Sequence, residues 1–329
     1  MLLLLLSLAG CSDPAPGGPP AVAAAGAASP AGGSVRLWTD AAIFTLVMAL
    51  IGSSRARVDV EMYELGRKDI VALLVAARSR GVAVRVVVDP TVDVSRASAS
   101  RLKASGVAVR MYPVDDKRHQ IDHVKLLLAD GEAVIGGMNW GRNSYRNHDF
   151  VLETRVVADV DRAGAIFEQD WSLGEGRPAP LRPVVGAVAQ TSPGAEIREM
   201  IDAALIASSR AVRAEVYTLT DPAVIAELAL ARRRGLDVRL VLDPNQAYNL
   251  QAAAMLRAAG VGVRWYPVPI GALLHAKIGL FDGLLVLGSA NWTLSGLGVN
   301  HELDIETRDP QAVATYAARF ELDWARSAA

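Results

Sequence analysis

The chain has one cysteine, Cys11, in 329 residues. No intramolecular disulfide can form, and no multi-cysteine zinc or iron–sulfur centre can be built. Lysine is scarce too: only five of the 34 basic residues are lysines. Basic and acidic residues nearly cancel, leaving a formal charge of −1. The chain therefore lacks the basic surplus typical of nucleic-acid binders, although a local basic groove fits within a neutral total. Long apolar runs are also missing. The longest near the start, Leu2–Leu8, falls well short of the about 20 residues that span a bilayer. Against this background the five lysines and five histidines stand out.

The N-terminus reads as a targeting segment. Residues 1–10 fit the apolar core of a signal peptide, although no Lys or Arg precedes the leucines. "LAGC" (Leu8–Cys11) resembles a lipobox, in which the cysteine is acylated and becomes the new N-terminus. This implies an exported, membrane-anchored lipoprotein. If the cysteine is incidental, a secreted protein is expected instead. Residues 11–34 are rich in Pro, Ala and Gly and are expected to form a disordered tether.

The rest of the chain is a duplication. "ALIGSSRARVDVEMYEL" (Ala49–Leu65) answers "ALIASSRAVRAEVYTL" (Ala204–Leu219), and "RSRGVAVRVVVDP" answers "RRRGLDVRLVLDP". "LKASGVAVRMYPV" answers "LRAAGVGVRWYPV", and "FEQDW" (Phe167–Trp171) answers "FELDW" (Phe320–Trp324). The boundaries read as unit one at 35–173, a linker at 174–192 and unit two at 193–329. Each unit is expected to begin with a helix, opened by Asp40 in unit one and by Ser192-Pro193 in unit two. Strands and helices then alternate, predicting tandem α/β/α sandwiches with mixed, mostly parallel sheets. Gly81, Gly235, Gly106 and Gly260 are read as helix ends.

Both units carry the same polar pattern. Unit one has His123-x-Lys125-x₄-Asp130, then Asn139 in "GGMN", then Asp149 in "NHD". Unit two has His275-x-Lys277-x₄-Asp282, then Ser289 and Asn291 in "GSAN", then Glu302 in "NHE". Residues i and i+2 of a strand share a face, so each His lies beside its Lys. If the units pack about a pseudo-two-fold axis, two imidazoles and two ammonium groups converge, which suits a phosphate. The lysines, the asparagine amides and the Ser289 hydroxyl would hold phosphate oxygens. One histidine can attack phosphorus while the other protonates the leaving alkoxide. A carboxylate on each imidazole's second nitrogen would fix its tautomer, and Asp149 and Glu302 are the candidates, with His123 expected to find Asp149. Such a site needs no metal or cofactor.

These paired HxKxxxxD segments, with their downstream Asn and Asp/Glu, resemble the signature of the phospholipase D superfamily from about residue 36 to 326. The resemblance implies a site between two α/β/α units and a covalent phosphohistidine. It further implies His123 as nucleophile, His275 as general acid/base, and Lys125, Lys277, Asp130 and Asp282 as motif members in the catalytic set. Asp130 and Asp282 each precede Gly, which is a turn signal in its own right. His148, His301 and the unpaired His119 read as structural. Glu61 and Glu215 could reach the site or pair with Arg85 and Arg239. Trp140 and Trp292 fit either a substrate-facing rim or packing.

The leading expectation for substrate is a phospholipid, hydrolysed at its distal phosphodiester bond, with transphosphatidylation as a variant. Alternatives are an exported metal-independent endonuclease and a cardiolipin synthase-like phosphatidyltransferase. A binding protein with a dead site fits poorly, because both His/Lys pairs are complete. A monomer is expected, since one chain supplies both halves of the site.

Overall fold

The computed structural model describes residues 34–177 and 180–329. The expected signal segment, Cys11 and nearly all of the tether lie outside the described residues, as do Pro178 and Ala179 of the linker.

The first half runs β1 (Val35–Thr39), α1 (Ala42–Ser53), β2 (Arg57–Met62), α2 (Lys68–Ser79), β3 (Ala83–Val88), α3 (Asp93–Ala104), β4 (Ala108–Met111), β5 (Lys125–Ala129), β6 (Glu132–Gly136), β7 (Phe150–Thr154) and α4 (Val157–Leu173). The second repeats it as β8 (Val188–Thr191), α5 (Glu196–Ala207), β9 (Ala211–Val216), α6 (Pro222–Arg233), β10 (Asp237–Leu242), α7 (Asn249–Ala258), β11 (Gly262–Trp265), β12 (Lys277–Phe281), β13 (Leu284–Gly288), β14 (Glu302–Thr307) and α8 (Pro310–Arg326). Each half forms a seven-stranded sheet, ordered β1-β7-β6-β5-β2-β3-β4 and, equivalently, β8-β14-β13-β12-β9-β10-β11.

Three details differ from the sequence expectation. The sheets are mixed, but only β2–β3–β4 and β9–β10–β11 run parallel; the other pairings are antiparallel. The short D-G turn Asp130-Gly131, both residues at positive φ, joins β5 to β6 as a hairpin, and a hairpin can only be antiparallel. Each half also begins with an edge strand, not a helix. β1 and β8 are four or five residues long, too short to show a clear period, and they pair with the last strand of their own sheet. The end of the expected linker is thus strand β8. Finally, Pro193 lies in the turn before α5 and not in its first turn, because the helix starts at Glu196.

Side-chain alternation builds three apolar layers. Leu127 and Ala129 of β5 face α1–α3, with Val58, Val60 and Met62 of β2. Leu126 and Leu128 face the opposite way and join Ile278, Leu280, Leu287 and Ile305 of the second half, together with Phe167 and Phe320, in one shared core. A third core lies between the second sheet and α5–α7. The two halves are therefore joined through a continuous apolar layer. In that layer α4 touches β8 and α8 touches β1, so each half's last helix covers the other half's edge strand. Gly81, Gly106, Gly235 and Gly260 all end helices at positive φ, where a side chain would be strained.

Candidate active site

Strand register brings the motif residues to one end of each sheet. Lys125 at the start of β5 lies opposite Met62 at the end of β2. Gly136, the last residue of β6, lies opposite Val151 near the start of β7. His123, Tyr63, Asn139 and Asp149 therefore leave the sheet at the same edge. The second half repeats this with Lys277 opposite Val216 and Gly288 opposite Asp304.

The two edges meet through the backbone. His123 N–H donates to His301 O at 2.8 Å, and His301 N–H donates to Ile121 O at 2.9 Å. Symmetrically, His275 N–H donates to His148 O and His148 N–H to Leu273 O, both at 2.8 Å. The segment before each HxK strand is thus paired with the other half.

This pairing corrects the expected imidazole partners, because the carboxylates are exchanged between halves. His123 Nδ1 lies 2.8 Å from Glu302 Oε2, and His275 Nδ1 lies 2.7 Å from Asp149 Oδ2. Asp149 does not hold His123. The cause is the backbone bridge: His301 pairs beside His123, so the next residue, Glu302, falls next to that ring. A carboxylate accepting from Nδ1–H leaves the lone pair on Nε2, the atom needed for attack or proton transfer.

The Asp/Glu difference between halves also has a structural reason. Ser289 Oγ donates to Glu302 Oε2 at 2.6 Å and accepts from Leu303 N–H at 2.9 Å. In the first half Asp149 Oδ1 takes the equivalent Phe150 N–H directly at 2.8 Å. No hydroxyl relay is needed there and none would fit, since a Cβ at Gly137 would lie 2.3 Å from Asp149 Oδ1. The Ser289 hydroxyl, expected at a phosphate oxygen, spends its hydrogen on Glu302 and so supports that carboxylate.

Lys125 and Lys277 are 3% and 2% exposed, and their ammonium groups bond the carbonyls of His123 and His275. Lys125 lies over the Tyr63 ring and Lys277 over Tyr217, at 5.1 and 5.0 Å from the centroids. Lys277 Nζ also lies 3.1 Å from His275 Nε2. Burial lowers Lys125 to about 7 and Lys277 to about 8. Burial, and then the lysine charges from both halves, hold His123 well below the ordinary histidine value and His275 at about 4. Each lysine acts on the histidine of the other half, so the four groups share one electrostatic site. A phosphodiester anion bound there would offset the ammonium charges and allow one imidazole to carry a proton. Asn139 and Asn291 leave the same sheet edges, and their buried side-chain oxygens have no partner.

Asp130 and Asp282 are corrected as well. They lie at the far end of β5 and β12 from the histidines. Asp130 accepts from the backbone N–H of Arg55, Ala56 and Arg57 at 2.6, 3.0 and 2.8 Å. Asp282 does the same for Ser209, Arg210 and Ala211 at 2.9, 3.0 and 2.8 Å. They fasten a turn at the strand end remote from the imidazoles.

His119 is exposed in a loop. Trp140 and Trp292 are buried, and Trp292 stacks on Phe281, so both are packing residues. Arg85 pairs with Asp59 and Glu168, and Arg239 with Asp237 and Glu321, so neither meets Glu61 or Glu215. Instead Glu215 lies 3.0 Å from His148, and Glu61 lies 3.6 Å from His301, in buried clusters completed by Asp323 and Asp170. Sequence reading missed both aspartates, although they are the Asp of the repeated FEQDW and FELDW segments. It also missed that Tyr63 and Tyr217 lie under the lysines.

Residues 47–171 and 198–324 each match the family described as "Cardiolipin synthase, PLD-like domain". The chain belongs to this family. Its paired HxK segments place it in the phospholipase D superfamily. Among curated relatives, cardiolipin synthase A of Pseudomonas syringae is 30% identical over 281 residues, covering 75% of this chain and 58% of that protein. The mitochondrial cardiolipin hydrolase of Drosophila melanogaster is 29% identical over 183 residues, covering 49% of this chain and 69% of that protein. The chain thus spans little more than half the length of the synthase it matches. The phosphatidylserine synthase of Haemophilus influenzae superposes with a TM-score of 0.72 at 12% identity, covering 89% of this chain and 86% of that one, which is a likeness of fold.

Proposed function

We propose that the chain is a phosphatidyltransferase that exchanges the alcohol of a phospholipid phosphodiester through a phosphohistidine. The carrying observation is the pair of buried imidazoles, each oriented by a carboxylate of the opposite half and flanked by a buried lysine. His123 Nε2 attacks phosphorus, and the bond to the leaving alkoxide breaks as His275 gives it a proton. The acceptor hydroxyl then loses its proton to His275 and attacks, breaking the P–N bond and freeing His123. The lysines and asparagines stabilise the charge on the non-bridging oxygens.

The expectation had favoured hydrolysis. The same intermediate captured by water gives that reaction, and relatives named for both synthesis and hydrolysis of cardiolipin lie near this chain. Transfer is preferred because the synthase alignment takes in both halves, whereas the hydrolase alignment covers 49% of the chain. Among the described residues no helix is long and apolar enough to cross a membrane, and access to lipid is proposed to come from the anchor expected at Cys11.

The test is incubation of the full chain with phosphatidylglycerol vesicles, cardiolipin vesicles and single-stranded DNA in parallel. Transfer predicts free glycerol and a diphosphatidyl product from phosphatidylglycerol. Phosphatidic acid alone would turn the reading to hydrolysis, and cleavage of DNA alone would remove the lipid reading altogether.

A further inference from the structure

Behind the phosphate site, the two His/carboxylate clusters have the same plan but opposite charge balance. In the second-half cluster, His148 lies with Glu215, Asp323 and Asp40. The chain supplies its own cations there: Arg319 reaches Asp40 at 3.0 Å and Asp323 at 2.6 Å, and Arg326 reaches Asp323 at 2.6 Å. In the other cluster His301 lies with Glu61, Asp170 and Asp122, all fully buried. Aligning FEQDW with FELDW puts Ile166 at the position of Arg319 and Leu173 at that of Arg326. Asp122, by contrast, replaces Leu274 and adds a negative charge. Three carboxylates therefore face one imidazole, with no Lys or Arg ion pair to any of them among the described residues.

We propose that Glu61, Asp170 and His301 bind one divalent first-row transition ion of the Zn²⁺ or Mn²⁺ type, with Asp122 adding negative charge beside them, linking the two halves behind His123. One ligand atom each from Glu61, Asp170 and His301 lie within 4.8 Å of one another. His301 Nδ1 faces Ser192 O at 2.9 Å and Thr191 O at 3.1 Å, and the ring stacks on Tyr112 with centroids 4.6 Å apart. Donation from Nδ1 to a carbonyl leaves Nε2 as the atom turned to the carboxylates, where a cation would take the place of its proton. Nε2 points at Asp170 Oδ2, 3.1 Å away. Both Glu61 oxygens, Asp170 Oδ1 and Asp122 Oδ2 are buried without a hydrogen-bond partner, and unpaired carboxylate oxygens are costly at zero exposure. One imidazole nitrogen with two carboxylates suits Zn²⁺ or Mn²⁺ better than the all-oxygen sets of Mg²⁺ or Ca²⁺.

The ligand His301 precedes Glu302, and Asp122 beside the site precedes His123, so the ion would lock the bridge that presents Glu302 to His123. It would position that pair without touching substrate.

The test uses the full chain, purified without a polyhistidine tag from medium containing both metals. Elemental mass spectrometry is expected to find about one equivalent of zinc or manganese. Glu61→Gln and, separately, Asp122→Leu, which copies the second half, should lower the content roughly tenfold or more. Glu215→Gln in the other cluster should leave it unchanged. Unfolding and refolding in chelator should lower the Tm of the wild type, and Zn²⁺ or Mn²⁺ should restore it. A metal-free wild type whose Tm is indifferent to chelator would overturn the proposal, as would metal content that survives both substitutions.

Discussion

The exchange of carboxylates between halves makes an unusual demand: changing a residue of the second half should disable the histidine of the first. Glu302→Gln keeps the shape but replaces an acceptor with an amide that can donate. The 2.8 Å contact to His123 Nδ1 loses its charge. Such a hydrogen bond contributes about 1.5–3 kcal/mol, which corresponds to about 10- to 150-fold in rate. An amide donor also favours the tautomer with its proton on Nε2, the attacking atom, so the upper part of this range is expected. The assay is a rapid-mixing burst with a phosphodiester bearing an activated phenolate. That leaving group needs no acid, so the burst reports phosphoenzyme formation and the later steady state reports its breakdown. His275→Ala should retain the burst, which assigns the nucleophile to His123. On that footing Glu302→Gln should slow the burst, whereas Asp149→Asn should spare it and slow the steady state. A burst slowed by Asp149→Asn and untouched by Glu302→Gln would falsify the crossed pairing.

Three further outcomes follow from the geometry. Gly137→Ser should abolish turnover by displacing Asp149, and Gly137→Ser with Asp149→Glu should regain part of it by copying the Ser289–Glu302 arrangement; kinetics of the single and double variants decide this. Asp130→Ala removes an acceptor from three backbone N–H groups at a solvent-exposed turn, so denaturant melts should show a loss of about 1–2 kcal/mol while kcat stays close to wild type. Activity retained by Asp130→Ala would separate this residue from the HxK pair, and a collapse of kcat in a folded variant would contradict its structural role. The lysines set a pH limit on the free enzyme. Both are ammonium below about 7, and rising pH neutralises Lys125 at about 7 and Lys277 at about 8, so kcat/KM should fall through that window; a profile flat from 6 to about 9 would refute the assignment.

Much of this was legible from one sequence because it was written twice. The duplication set the architecture, and the repeated His-x-Lys spacing put each pair on one strand face, since side-chain alternation is a property of the backbone alone. Helix ends at Gly81 and Gly235 were readable for the same local reason. The short edge strands β1 and β8 were not, because they gain their hydrogen bonds only from a sheet assembled far along the chain. Nor was the role of Asp130. Its place in the motif suggested chemistry, and only the return of β2 beside β5 brings the backbone amides of residues 55–57 to its carboxylate.

The sequence by itself thus determined which polar side chains recur in both halves and that each His shares a strand face with its Lys. The tertiary structure decided which carboxylate serves which imidazole, that Ser289 supports Glu302, and that one interfacial cluster has arginines where its twin has none. The physical reason is the range of the interactions. Strand faces and turns follow from neighbours along the chain, whereas proton placement and buried charge balance depend on groups that only the packing of one half on the other brings within hydrogen-bond reach.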